Sequence, residues 1–282
     1  MINQFTARLI MYAVIICCIG CGVDKYGGSK DGYISLSLKK VGPSESSLSN
    51  SSICISSNDK DRVEAIEAEM ISAVEGQNIA DARKGNVKLA GPWQCSQGNA
   101  KVENVNSGNY YLAIFGYSPV SFDNADSGEL IYYADKRDII VSSGANTSVD
   151  MVLKPVNTDE TIFNPMIHIG PTEGRFINES GSPIWKGNSY VHTFILDFVP
   201  SRATLTVTTF SINEDNSTEI VINNKRFNAF RKQGNYIDQI FRIKSDYLKQ
   251  GKNIIEFKSA SFPSVEDFLI RKVSIKYGEE AQ

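Results

Sequence analysis

The chain has 282 residues, with 29 Lys and Arg against 32 Asp and Glu, so its net charge at pH 7 is −3. This balance, with no dense basic cluster, argues against a nucleic-acid partner. The length exceeds that of one average domain and suits two.

The N-terminus has the pattern of a secretory signal peptide. Arg8 is the basic residue of a short leading region, and an apolar block follows it over residues 9–20. As a helix, the apolar run of residues 9–23 would reach only about 22 Å, which is less than the ~30 Å hydrocarbon core of a bilayer. We therefore predict that this segment does not span a membrane and that residues 1–20 are cleaved.

The end of the apolar block, "CIGC", resembles the lipobox of bacterial lipoproteins. Ile19, Gly20 and Cys21 fit that motif, whereas Cys18 stands where leucine is usual. The resemblance implies that the mature chain begins at Cys21 and that this cysteine carries the lipid, including palmitate, that anchors the protein in the membrane. Gly22 follows the cysteine in place of the Asp that favours inner-membrane retention, which implies the outer membrane of the bacterial cell envelope.

Two other interpretations of this segment remain. A secreted chain cut at a different position is one alternative. A metal site is disfavoured, because Cys17, Cys18 and Cys21 lie in or directly after the apolar run with no His or acidic partner nearby. Residues 21–32 are rich in Gly and charge, and we predict that they form a flexible tether.

Residues 33–155 are predicted to form a first β domain. The stretch "YISLSLKKV" alternates and places Ile34, Leu36 and Leu38 on one face. The stretch "RVEAIEAEMISAV" differs, because its apolar residues have helical spacing and local propensity favours a helix.

This block resembles the Ig-like, transthyretin-type sandwich repeats of bacterial lipoproteins and of carboxypeptidase regulatory-like domains. The positions that carry the resemblance are Val102, Val105, Gly108, Tyr110, Leu112, Gly128, Tyr132, Val141, Gly144, Val149 and Leu153. It implies a β-sandwich in which "VEAIEAEMI" is a strand rather than a helix. It also implies a spacer or an assembly surface without chemistry of its own.

Cys54 and Cys95 are the two cysteines that remain if Cys21 is acylated. In an exported, oxidising setting we predict that they form a disulfide within the first domain. Two unpaired buried thiols are the alternative.

Residues 156–165 are predicted to be a linker, since "KPVNTDETIFNP" mixes Pro, Asn and acidic residues without periodicity. Strand patterns resume in residues 166–278. In "ATLTVTTF", Leu205 and Val207 are predicted to face the core and the alternate threonines, Thr204, Thr206 and Thr208, to face solvent. A change of phase in the last strand predicts a bulge near Arg271.

The second block resembles galactose-binding-like jelly rolls, the sandwich of many carbohydrate-binding modules. The residues that match are Leu248, Gly251, Asn253, Asp267, Phe268, Ile270, Val273 and Ile275. The fold class predicted for the whole chain is therefore all-β, with two β-sandwich domains in tandem after a cleaved lipoprotein signal peptide.

We predict no catalytic residue and no cofactor. His192 is in phase with core residues, His168 has no acidic residue nearby in the sequence, and the serines lack a nucleophile motif. A pair of glycosidase carboxylates meets only in the fold and stays open. Two acidic segments, "SFDNADSGEL" and "SINEDNSTE", lack EF-hand spacing, so we predict solvated turns rather than a metal site.

Aromatic and cationic residues of the second block suit a shallow saccharide site, because sugar rings stack on aromatic planes and their hydroxyls accept hydrogen bonds. The predicted ligand-binding residues are Trp185, Tyr190, Arg226, Phe230, Arg231 and Tyr236. The alternative is that Trp185 caps the core and that Phe230 packs under a loop.

The sequence thus predicts a membrane-anchored, non-enzymatic lipoprotein whose C-terminal jelly roll binds carbohydrate or a surface polymer. A structural or assembly lipoprotein that contacts a protein partner and takes no small ligand is the alternative.

Overall fold

The structure is a computed structural model. The residues it describes are 31–41, 48–49, 62–73, 82, 87–94, 100–119, 128–260 and 265–278. Strands dominate these ranges, and the predicted all-β class is confirmed. The signal peptide, most of the tether, Cys21, Cys54 and Cys95 lie outside the described residues. Within the described ranges, no helix is long and apolar enough to cross a membrane.

The N-terminal half is a two-layer sandwich. Its described strands are β1 (Gly32–Val41), β2 (Leu48–Ser49), β3 (Ala65–Ser72), β4 (Val87–Gln94), β5 (Ala100–Val105), β6 (Gly108–Tyr117), β7 (Leu130–Val141) and β8 (Asn146–Pro155). One layer holds β1, β2, β5 and β8, and the other holds β3, β4, β6 and β7. The layers join where Tyr132 and Tyr133 of β7 pair with β8.

The segment for which local propensity favours a helix and the family resemblance a strand forms strand β3. It pairs antiparallel with β4 on one side and β6 on the other. Ile66, Ala68 and Met70 face the core between the layers, whereas Ile71 belongs to a second apolar cluster on the opposite face. Pairing on both edges and burial on both faces outweigh the helical spacing, so the strand is confirmed.

The C-terminal half is a jelly roll of two facing sheets. Its described strands are β9 (Asn157–Ile169), β10 (Ile184–Trp185), β11 (Ser189–Leu196), β12 (Arg202–Phe210), β13 (Thr218–Ile222), β14 (Lys225–Asn228), β15 (Ile237–Lys244), β16 (Gly251–Ser259) and β17 (Phe268–Tyr277). One sheet has the order β10-β9-β17-β12-β15, and the other has the order β11-β16-β13-β14. The predicted bulge is confirmed, because the pairing of β17 shifts between Ile270 and Lys272.

The two halves join without an irregular segment. Val156 alone separates β8 from β9, and its backbone N–H donates to the carbonyl of Ile131 at 3.2 Å. Most of residues 156–165 therefore belongs to a strand, in place of the predicted linker. Hydrogen bonding to β17, which starts at the pair Asn157 and Tyr277, orders this polar segment without an apolar pattern.

The sandwiches contact each other through the outer face of the five-stranded sheet. Thr204 and Thr206 of β12 are buried in this contact, not in the predicted solvent-facing row. Thr204 Oγ1 accepts a hydrogen bond from the Leu130 N–H at 3.2 Å, and Thr206 Oγ1 donates to Glu129 at 2.9 Å. The alternation of threonines correctly predicted that these residues lie on the face of β12 opposite the core. It could not predict that the N-terminal sandwich covers this face.

Candidate functional site

Trp185 lies at an edge of the jelly roll, on the two-residue strand β10. This strand pairs in parallel with β9, where Ile184 is opposite Ile167 and Trp185 is opposite His168. Backbone bonds continue the pairing, because the N–H of Lys186 donates to the His168 carbonyl at 2.9 Å. The connection over residues 170–188 is thereby held against the sheet.

The indole of Trp185 has a fixed orientation. Its Nε1–H donates to the carbonyl of Gly170 at 2.8 Å, while the residue remains 39 % exposed. A tryptophan whose polar edge is bonded to the protein and whose ring is partly exposed presents an apolar plane to solvent.

Gly170, which supplies the acceptor for this bond, could not carry a side chain. Its φ is +145°, and a Cβ built on its backbone would lie 2.2 Å from Oδ1 of Asp267. The chain leaves β9 through a conformation that only glycine adopts easily, with its backbone directly against a carboxylate.

The Asp267 carboxylate accepts hydrogen bonds from three residues, one at the end of β9 and two in the connection. His168 Nε2 and the Thr172 N–H bind Oδ1, each at 3.0 Å, and Arg175 binds Oδ2 at 3.2 Å. The side chains of His168 and Asp267 are each 2 % exposed. An ionised carboxylate only accepts hydrogen bonds, so Nε2 of His168 carries the proton.

Hydrogen bonding also controls the ionisation of Asp267. Burial by itself acts to raise the pKa of this carboxyl group. The bonds from Thr172, His168 and Arg175 outweigh burial and hold the pKa below its ordinary value. Asp267 thus stays ionised at neutral pH and serves as the anchor of the connection.

An apolar cluster separate from the main core packs beneath the connection. It contains Met166, Phe176 and Leu269. The His168 ring meets Phe176 edge to face at 4.8 Å. Tyr236, one of the predicted ligand residues, packs here as well, and its hydroxyl donates to the sulfur of Met166 at 3.1 Å.

Two other predicted ligand residues pack against neighbouring aromatic rings. Phe230 is 1 % exposed and packs among core rings, which is the packing role given above as the alternative. Tyr190 is half-buried and contacts Phe163 edge to face at 5.4 Å. Burial raises the pKa of the Tyr190 hydroxyl.

The two predicted arginines lie away from Trp185. Arg226 is exposed on β14, with a guanidinium nitrogen 3.7 Å from Glu219. Strands β13 and β16 separate β14 from β11, a distance of about 14 Å across the sheet. The N–H of Arg231 donates to Gln239 in the connection that follows β14. Tyr190 and Arg226 therefore lie on strands at opposite edges of the four-stranded sheet.

Sequence reasoning missed the cluster that positions Trp185. His168 and Asp267 are separated by 99 residues, so the acidic partner of His168 could not be found by local inspection. Asp267 was recognised only as a match to the last-strand pattern. Both carboxylate oxygens of Asp267 accept hydrogen bonds, so the cluster holds the connection in position. Within the described residues, no three potential metal ligands of the His, Cys, Asp or Glu type converge.

No family model matches the chain, and no curated protein was found to match it. Among solved structures, it is similar to the CBM35 of Cellvibrio japonicus Abf62, with 17 % identity, 44 % of this chain and 95 % of that chain covered, and a TM-score of 0.33. It is also similar to the CBM36-1 domain of a multidomain xylanase from the hindgut metagenome of Trinervitermes trinervoides. There the identity is 18 %, the coverage is 44 % of this chain and 100 % of that chain, and the TM-score is 0.31.

A third similar structure is the GH26-CBM35 β-(1,4)-mannanase of Podospora anserina. The identity is 13 %, the coverage is 44 % of this chain and 28 % of that chain, and the TM-score is 0.29. All three TM-scores are below 0.5, so a functional assignment must rest on the geometry of the chain itself.

Proposed function

We propose that this protein is a non-enzymatic, lipid-anchored protein of the bacterial cell envelope whose C-terminal jelly roll binds carbohydrate at Trp185. The observation that carries the proposal is the indole ring, which is 39 % exposed and bonded through Nε1 to Gly170. Its orientation does not have to be fixed on binding, which lowers the entropic cost of stacking a sugar ring.

Arg175 supplies polar contacts beside this plane. Its side chain is 42 % exposed, and one of its nitrogens binds Asp267, the carboxylate against which Gly170 packs. A guanidinium has five N–H donors, so this bond leaves donors for the hydroxyl groups of a ligand. Trp185 and Arg175 are thus anchored at one corner of the jelly roll.

Trp185→Ala should abolish most of the carbohydrate binding. A central aromatic contact is worth about 2 kcal/mol or more, which corresponds to a loss of about 30-fold in affinity. A glycan array would identify the saccharide, and fluorescence titration would give Kd. The chain has two tryptophans, so a Trp93→Phe background makes Trp185 the sole tryptophan reporter.

Two further variants sharpen this test. Trp185→Phe keeps an aromatic plane and should retain part of the affinity, whereas Ile140→Ala, at an exposed position of the other sandwich, should bind as the parent does. Equal glycan affinity for Trp185→Ala and the parent would contradict the assignment of the site.

The proposed anchor depends on Cys21, which lies outside the described residues. Cys21→Ser should block incorporation of labelled palmitate and leave an unprocessed precursor. This precursor should bind membranes less tightly than the lipidated protein. Normal labelling and maturation of this variant would contradict lipidation at Cys21.

An assembly role without a small ligand is the second candidate. It is favoured by three apolar side chains that are exposed on the four-stranded sheet, Val191, Ile195 and Ile254. Ile254 lies on β16 opposite Thr193 of β11, between the other two, so the three residues form one patch. A stable protein complex that is lost on Ile195→Asp, together with an empty glycan array, would favour this role.

A further inference from the structure

A cleft of about 290 Å³ lies between the two sandwiches, away from Trp185. One wall comes from β3 and β4 of the N-terminal sandwich, and the other comes from β12 and β15 of the jelly roll. The side chains that matter for its chemistry are Glu67, Leu89, Phe115, Arg202, Arg242 and Lys244. Three cations therefore face the carboxylate of Glu67, and a second carboxylate, that of Glu69, lies 3.9 Å from Arg202.

Arg242 is held in place on one side of this cleft. It forms an ion pair with Glu67 across the domain boundary, and its guanidinium lies over the Tyr117 ring at 4.1 Å from the centroid. Its Nε is buried and has no hydrogen-bond partner among the described residues. The positive charge is thus fixed but not saturated with hydrogen bonds.

Arg202 forms an ion pair with Glu69 that is too long for a hydrogen bond. Its nearest carboxylate oxygen, on Glu69, is 3.9 Å away, beyond hydrogen-bond distance, and its side chain is only 21 % exposed. No hydrogen bond of this guanidinium is formed with the residues that the structure describes. Its donors are therefore presented to the cleft, in a largely desolvated position where an anionic partner is favoured.

The part of the opposite wall that β4 supplies is apolar. Leu89 is 60 % exposed at the cleft, and Ala90 and Gly91 continue this wall along β4. Lys244 is exposed at the end of β15 and adds a third positive charge. The arrangement combines unsaturated cationic donors with an apolar surface a few ångströms across.

We propose that this cleft binds a small organic carboxylate that has an apolar body. The carboxylate accepts hydrogen bonds from Arg202 and is attracted by Arg242 and Lys244, while the apolar body lies against Leu89. The volume is at the lower end of the ~300–1,000 Å³ range of small-molecule pockets, which limits the ligand to about one or two rings. This site is separate from Trp185 and does not depend on the proposed function.

Benzoate is a suitable probe, with benzyl alcohol as its uncharged counterpart. In calorimetric titration of the full chain, benzoate should bind saturably and benzyl alcohol should bind at least about tenfold more weakly, because charge-assisted hydrogen bonds are lost. Arg202→Gln should reduce benzoate affinity by about tenfold or more. Arg137→Gln, at an exposed position outside the cleft, should leave the affinity unchanged.

Leu89→Ser provides a second variant that does not endanger the fold, because Leu89 is already exposed. It should weaken benzoate binding about threefold to tenfold through loss of apolar contact. Trp185→Ala should have no effect on benzoate, which separates this site from the carbohydrate site.

Three results would overturn the proposal. These are equal binding of benzoate and benzyl alcohol, unchanged benzoate affinity in both Arg202→Gln and Leu89→Ser, and absence of saturable binding up to about 10 mM, which covers weak small-molecule affinities. Phosphate that binds as tightly as benzoate would also overturn it, since the apolar wall would then contribute nothing.

Discussion

The buried carboxylate of Asp267 holds the connection that follows β9 in position. Its two oxygens bind donors from His168, Thr172 and Arg175, and the carboxylate also fills the space against Gly170. An amide in its place would keep one acceptor oxygen but would turn an NH2 group toward donors that now bind the other oxygen, which leaves a buried donor unpaired.

Asp267→Asn should therefore destabilise the jelly roll by about 2 kcal/mol, the scale for leaving a buried hydrogen-bonding group unpaired. Thermal unfolding measures this loss. The variant should also weaken glycan binding, because Gly170 and the Trp185 bond lose their support. Asp138→Asn is the matched control, since Asp138 is exposed and has a φ of +56°, which Asn tolerates.

The effect of this substitution should depend on pH. The folded-state pKa of Asp267 is lowered, so the stability it contributes is present above the ordinary carboxyl pKa of about 4 and is lost as pH falls through the folded value. The difference in melting temperature between the parent and Asp267→Asn should narrow in acid. A difference that stays constant over this interval would show that the carboxylate charge is not what holds the connection.

Alternation of apolar and polar residues predicted those strands that have one face toward the core. Leu205 and Val207 of β12 face the core as expected, and the bulge in β17 follows from its change of phase. The first residues of β9 were missed, because hydrogen bonds to β17 order them and side-chain burial does not. A strand stabilised by its neighbour leaves little trace in its own sequence.

The candidate site was predictable to a similar extent. The suitability of aromatic rings for stacking on sugars drew attention to Trp185 and Phe230 alike, because the sequence could not separate the partly exposed ring of Trp185 from the buried ring of Phe230. The Asp267 cluster and the cleft at Arg202 arise from residues brought together by sheet pairing and domain contact. Neither arrangement has a spacing that a single sequence would reveal.

The interface between the two sandwiches carries acidic residues on one side and basic residues on the other. Acidic residues of the N-terminal sandwich meet basic residues of the jelly roll in each of three ion pairs: Glu67 with Arg242, Glu69 with Arg202, and Glu129 with Lys276. The Glu129 pair is closest to ideal, with 2.7 Å between Oε2 and Nζ and both side chains 22 % exposed. Electrostatic complementarity of this kind fixes how two surfaces align.

Exchanging the charges of one pair tests this interface. Glu129→Lys should place two ammonium groups together and lower the free energy of unfolding of the full chain. Combining it with Lys276→Glu should recover part of the loss, with a coupling of about 0.5–3 kcal/mol in a double-mutant cycle from denaturant unfolding. Simple addition of the two single effects would mean that the pair contributes nothing to the interface.

A control pair lies inside the jelly roll. Lys272 and Glu160 are also 2.7 Å apart but join β17 to β9, so the same exchange there should leave the contact between the sandwiches intact. Comparison of the two cycles distinguishes the coupling energy of an ion pair from its contribution to the alignment of the two sandwiches.

The parallel pairing of β1 with β8 has a mechanical consequence. These strands are in register from Tyr33 opposite Asn146 to Lys40 opposite Leu153, and β8 leads through Val156 into the jelly roll. Tension between a fixed N-terminus and a load on the jelly roll would pull the two strands in opposite directions along their length. The hydrogen bonds between them would be loaded in shear, all at once, instead of being opened one by one from an end. Strands β1 and β8 of the N-terminal sandwich therefore form a clamp that would transmit force between the N-terminal end of β1 and the jelly roll.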